Sequence, residues 1–114
     1  MSVTIWHNPR CSKSRAALAA LQERGLSPSV RLYLKDPPPR AEIEDVLNML
    51  GVPAAQMMRT KDAAFKDAGL TTNDDDATLI AAMAANSALI ERPIVIANGK
   101  AAIGRPTEVI FDIL

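Results

Sequence analysis

The sequence predicts an α/β fold in which a βαβ unit and a ββα unit, separated by a helical stretch, share one four-stranded mixed sheet. Three observations carry this expectation. A short β-prone run passes directly into a helix-forming segment, helical periodicity fills the middle of the chain, and an Asn-Gly pair separates two apolar runs near the C-terminus. At 114 residues the chain has the size of one domain, and residues 1–114 are read as a single unit. Its composition, 48% hydrophobic and 23% charged, is that of an ordinary globular protein.

Residues 3 to 6, Val-Thr-Ile-Trp, are β-prone and uncharged, and Asn8-Pro9 breaks the run at once, so a buried strand ends abruptly there. Residues 12 to 24 are rich in Ala, Leu, Gln and Glu, with Leu18 and Leu21 on one helical face and Gly25 as the stop. Residues 30 to 34, Val-Arg-Leu-Tyr-Leu, read as a second strand, parallel to the first because a helix crosses between them. The prolines at 37 to 39 end it.

Ile43, Val46, Leu47 and Leu50 recur at i, i+3, i+4 and i+7, which places four apolar side chains on one helical face. Gly51-Val52-Pro53 closes that helix, and residues 54 to 68 form one or two short helices that turn Met57, Met58 and Phe65 inward before Gly69. The run Asn73-Asp74-Asp75-Asp76 precedes Leu79, Ile80 and Met83 and reads as a helix N-terminus, where carboxylates cap free amides and favour the dipole. Residues 93 to 97 and 100 to 104 flank Asn98-Gly99, a dipeptide suited to a type I′ hairpin turn. Pro106 suits a first helical position, and Val109, Ile110, Ile113 and Leu114 give a final apolar face. This order is the thioredoxin-like plan with a helical insertion.

Charge excludes several functions. With 13 basic and 13 acidic residues, no long-range field draws the protein to nucleic acid or an anionic membrane, so any anion site must be local. The longest apolar stretch, residues 77 to 85, is far short of the ~20 residues that span a bilayer. The first residues show no basic leader with an apolar segment and cleavage site, so a cytoplasmic location is expected. One cysteine forms no internal disulfide, which fits a reducing compartment. One cysteine and one histidine do not close a zinc site, so neither a metal nor a bound cofactor is expected.

Taken alone, an unpaired cysteine is a small buried hydrophobe or a nucleophile. Cys11 lies between the end of the first strand and the start of the first helix, where free amides and the positive end of the helix dipole favour a thiolate. Arg10, Lys13, Arg15 and His7 add cationic or proton-handling groups within a few residues, and the nucleophilic reading leads. The same turn suits an anion, since residues 12 to 14 offer backbone amides and the hydroxyls of Ser12 and Ser14; the plainer role of both serines is helix capping. His7 is either packed at the strand end or tunes the thiol.

The segment His7-Asn8-Pro9-Arg10-Cys11-Ser12-Lys13-Ser14-Arg15 closely resembles the active-site loop of the glutaredoxin-dependent arsenate reductase (ArsC) family. Leu34 with Pro37-Pro38, Met57-Met58-Arg59, Ile90-Glu91-Arg92-Pro93-Ile94-Val95 and Gly104-Arg105-Pro106-Thr107-Glu108 follow in family order, and Ala97-Asn98-Gly99-Lys100 is most like the short YfgD-like branch. The resemblance implies that the Cys11 thiolate attacks arsenate. The covalent adduct is then resolved by glutathione as co-substrate and by glutaredoxin, releasing arsenite. It also implies that Arg59, Arg92 and Arg105 hold the oxyanion, a task suited to forked, permanently charged donors. A cis Arg92-Pro93 bond is expected, as thioredoxin-like folds commonly place a cis-proline facing the active cysteine.

Two other functions fit the same fold. A glutathione-linked thiol oxidoreductase would use Cys11 on a different substrate. A regulator of the Spx type, which binds RNA polymerase and senses redox state through Cys-x-x-Cys, needs a second cysteine where this chain has Ser14.

Overall fold

The computed structural model describes residues 2–114, which fall into two compact units. A sheet unit comprises the residues up to Asp36 together with Arg92–Leu114, and a helical unit comprises Pro37–Glu91. The sheet unit contains β1 (Val3–Trp6), α1 (Ser12–Glu23), β2 (Ser29–Arg31), β3 (Ile94–Ala97), β4 (Lys100–Ile103) and a closing 3-10 helix, Thr107–Ile113. Its strands lie in the order β2-β1-β3-β4, with β1 parallel to β2 and antiparallel to β3, and β3 antiparallel to β4. This is the mixed thioredoxin-like sheet that the element order predicts.

Strand alternation puts Val3 and Ile5 on one face of β1, opposite Ala97 and Val95 of β3. All four are buried in one cluster with Ala17 and Leu21 of α1 and Ile110 of the closing helix, and Leu18 packs partly against it. The first helix ends as the sequence predicts. Gly25 adopts φ 79°, its amide donates to the Gln22 carbonyl at 2.9 Å, and the Leu26 amide donates to the Leu21 carbonyl at 3.1 Å, a Schellman closure. The hairpin between β3 and β4 also forms at Asn98-Gly99, with φ 56° and 73°.

Two elements differ from the sequence reading. The second strand spans Ser29–Arg31 rather than residues 30 to 34, because its one neighbour, β1, ends at Trp6 opposite Arg31. Beyond that point the chain turns, with the amides of Lys35 and Asp36 both donating to the Leu32 carbonyl at 2.9 Å. Tyr33 is buried and Leu34 is 45% exposed. At the C-terminus the last helix is 3-10 throughout, Pro106 is its extended N-cap rather than its first residue, and Val109 faces outward while Ile110 alone is fully buried.

The helical unit contains α2 (Arg40–Leu50), α3 (Ala63–Asp67), α4 (Asp76–Ala85) and the 3-10 turns Ala54–Met57 and Ser87–Leu89. Ile43, Val46 and Leu47 are buried along α2, whereas Leu50 is only partly covered. Met57, Met58 and Phe65 turn inward. The acidic run divides its labour. Asp75 caps α4 by accepting from the Thr78 amide at 2.8 Å, Asp74 accepts from the Thr71 amide at 2.9 Å, and Asp76 accepts from the Ala54 amide at 3.1 Å. No helix among the described residues is long and apolar enough to cross a membrane.

Gly104 shows how tightly the end of the hairpin is packed. A Cβ added there would lie 2.8 Å from Pro93 Cγ and 3.3 Å from Ile110 Cγ2. Gly104→Ala is expected to destabilise the protein by about 1–3 kcal/mol, as overpacking of a filled core does. Urea unfolding monitored by circular dichroism should show the lower midpoint.

Candidate active site

The chain leaves β1 at Trp6 and enters α1 at Ser12, and the intervening loop is built almost wholly from local hydrogen bonds. The His7 amide donates to the Arg31 carbonyl at 2.8 Å, continuing the parallel ladder by one step. Asn8 then makes the turn: its side-chain oxygen accepts from the Arg10 amide at 3.0 Å and its carbonyl accepts from the Cys11 amide at 3.0 Å. Arg15 reaches back to donate to the Pro9 carbonyl at 2.9 Å. The loop is thereby fixed at both ends before any ligand arrives.

Cys11 is the N-cap of α1, with extended φ −94° and ψ 123°, and its carbonyl accepts the first helical bond from Arg15 at 3.0 Å. This corrects the capping role given to Ser12, which is the first helical residue, exposed to solvent, and caps nothing. Ser14 is fully buried. Its hydroxyl accepts from the Asn8 amide at 3.0 Å and shares a 2.6 Å hydrogen bond with His7 Nδ1, so it holds the loop rather than offering a hydroxyl to an anion.

Partial burial is the largest single influence on the Cys11 thiol, and it raises the pKa. The opposing influences together exceed it: the amides of Ser14 and Lys13, and the charge and hydrogen bond of Arg92, hold the thiol below its ordinary value. The sulfur makes no close capping hydrogen bond, so the amides act as dipoles directed at it. Arg105 Nη2 lies 3.5 Å from Sγ, and the same guanidinium donates through Nε to the Arg92 carbonyl at 2.8 Å. Arg92 and Arg105 therefore meet at the sulfur, one at each end of the β3–β4 hairpin.

The Arg92-Pro93 bond is cis, as the sequence reading expects, and the Arg105-Pro106 bond is cis as well. Arg59 belongs to the helical unit. There its amide donates to the Leu89 carbonyl at 2.9 Å, and its Nη2 pairs with Asp62 at 2.7 Å. Among the described residues, no group of three or more His, Cys, Asp or Glu side chains is placed to hold a metal ion. One feature escaped the sequence reading: a cavity of 260 Å³ flanks the loop, lined by residues 7–10 with Leu32, Leu34 and Lys35. The strand assigned to residues 30 to 34 concealed it, because the cavity exists where that segment leaves the sheet.

His7 is buried, and burial followed by the nearby charge of Arg15 lowers its pKa below the ordinary 6.5. It is therefore neutral at pH 7 and supplies no positive charge to the thiol. Because the folded protein binds its proton less readily than the unfolded chain, this histidine adds stability that is complete above the unfolded value and falls away as pH drops below about 6.5. Proton NMR should show the single imidazole titrating below that value. Alkylation of Cys11 followed against pH should give a midpoint below the free-thiol value of about 8.5, and Arg92→Ala should move it upward.

Residues 6–113 match the model of the ArsC family. An arsenate reductase of Neisseria meningitidis is 53% identical, with 98% of this chain and 97% of that protein covered. YfgD of Escherichia coli is 47% identical over 98% of this chain and 96% of its own length. The solved structure of an arsenate reductase from Vibrio cholerae superposes with a TM-score of 0.96 at 45% identity, covering 100% of this chain and 98% of that one. A cysteine at the start of the first helix, two arginines at its sulfur and a match over nearly the whole chain agree, and the chain belongs to the ArsC family.

Proposed function

We propose that this protein is an arsenate reductase that uses the thiolate of Cys11 as nucleophile and takes its electrons from glutathione and glutaredoxin. The observation that carries the reading is the meeting of two guanidinium groups, Arg92 and Arg105, at one thiol of lowered pKa. The names of the relatives supply the substrate, and a single cysteine accords with reductants from outside the chain.

A tetrahedral oxyanion drawn to Arg92 and Arg105 would sit against Sγ, with the forked donors engaging its oxygens. Attack by Sγ on arsenic forms the S–As bond, and one oxygen leaves as water. Charge that builds on the remaining oxygens meets guanidinium groups already in place, which is the larger catalytic contribution. A glutathione thiol then bonds to arsenic as a second oxygen leaves, and a glutaredoxin thiol takes that sulfur as a disulfide. The electron pair stays on arsenic, and hydrolysis of the S–As bond releases arsenite. In sum, arsenate and two thiols give arsenite, one disulfide and water.

The test is arsenate-dependent NADPH oxidation in the presence of glutathione, glutaredoxin and glutathione reductase. Cys11→Ser should abolish turnover, and full activity in that variant would refute the nucleophile. Arg105→Ala should lower kcat/KM about 10²-fold, the effect of losing one preorganised donor, with Arg105→Lys recovering only part. Silence with arsenate beside turnover of a glutathionylated substrate would assign the same thiolate to a thiol oxidoreductase instead.

A further inference from the structure

We infer that the cavity beside the nucleophile loop seats the thiol reductant, a small peptide thiol bearing carboxylates. The inference rests on the reductase reading and deepens it. Reduction of an oxyanion by two electrons consumes two thiols, and the chain has one cysteine, which ends each cycle unchanged. Both thiols come from outside, and the first must reach an arsenic atom held on Sγ beside Arg92 and Arg105. The cavity is lined by residues 7–10, the loop that leads directly into Cys11.

Its lining matches that occupant. Pro9, Leu32 and Leu34 supply apolar surface, and Leu34 is 45% exposed in the turn at residues 32–36. Arg10 and Lys35 supply two cations, and no carboxylate lines the cavity. Among the described residues neither side chain is ion-paired, and the nearest acid in sequence, Asp36, is engaged by Arg31 at 3.5 Å. His7 adds no charge, being neutral. A volume of 260 Å³, slightly below the roughly 300 Å³ at which small-molecule sites begin, would seat part of a tripeptide and leave its thiol projecting past Arg10. The two cations complement the two carboxylates of glutathione. Its sulfur would bond to arsenic as water leaves, and a second thiol, of glutathione or glutaredoxin, would remove it as a disulfide.

The test uses S-methylglutathione, which binds without reacting, titrated into the Cys11→Ser protein by ¹H–¹⁵N NMR. Shifts should concentrate at residues 7–10 and 32–35, and Arg10→Glu and Lys35→Glu should each weaken binding about fivefold, as expected for reversing one partly exposed charge pair. The diethyl ester of the probe, lacking carboxylates, should bind more weakly to the parent and lose nothing further in the variants. In turnover, Lys35→Glu should raise KM for glutathione about fivefold while KM for dithiothreitol stays the same. Shifts centred elsewhere, or affinity indifferent to both charge reversals, would overturn the assignment. Binding at the cavity with no arsenate turnover would instead remove the arsenate reading and leave the cavity as a thiol-peptide site.

Discussion

Ser14 is fully buried, and its hydroxyl is shared between the Asn8 amide at 3.0 Å and His7 Nδ1 at 2.6 Å. One oxygen thus joins the last residue before the loop, the residue that makes its turn, and the first turn of α1. Donation from the Ser14 O–H to Nδ1 of the neutral imidazole, beside acceptance from the Asn8 amide, uses the buried hydroxyl as both donor and acceptor. Leaving such a group unpaired costs about 1–3 kcal/mol, so the loop has little reason to open. The clamp fixes the start of α1, where Cys11 is the N-cap and the amides of Lys13 and Ser14 are aimed at Sγ.

Burial and charge compete for the thiol, and the balance falls on the side of the thiolate. The desolvation that Cys11 experiences would by itself suppress the thiolate, and it exceeds any single favourable influence. The amides of Ser14 and Lys13, with the charge and hydrogen bond of Arg92, together outweigh it. Arg105 then shows why the cation is an arginine. Its Nε is spent on the Arg92 carbonyl at 2.8 Å, and its Nη2 stands 3.5 Å from Sγ. A lysine carries its three donors on a single atom, and lacks the rigid fork that holds one donor on the carbonyl before Pro93 and a separate one toward the sulfur.

Much of this was legible in the sequence because it is written locally. The β1 run, the Gly25 stop, the four-residue apolar repeat of α2, the capping aspartates and the Asn98-Gly99 hairpin each depend on neighbours within a few positions, and each forms. What failed to read depends on distant partners. Residues 30 to 34 have strand composition, yet the length of β2 is set by where β1 stops, a fact recorded elsewhere in the chain. Likewise the residue types of Ser12 and Ser14 equally suit a cap, and only the path of the loop shows that the first is idle and the second is buried against His7. The convergence of Arg92 and Arg105 on Cys11 joins positions far apart in sequence, and the family resemblance indicated it where spacing could not.

Position 14 also separates the mechanisms open to this fold. A Cys-x-x-Cys switch requires the fourth side chain to face the first sulfur. Here that side chain is directed to His7 and Asn8 and filled by hydrogen bonds. A thiol is a weak donor and a weak acceptor, so cysteine at this place would hold the Asn8 amide and the imidazole poorly and loosen the loop that aims the amides at Sγ. The hydroxyl that organises the Cys11 loop therefore stands where an internal thiol partner would be. A chain built this way keeps a low-pKa sulfur with no second cysteine to pair with it, and under the proposed reduction of an oxyanion its electrons would have to come from thiols in solution.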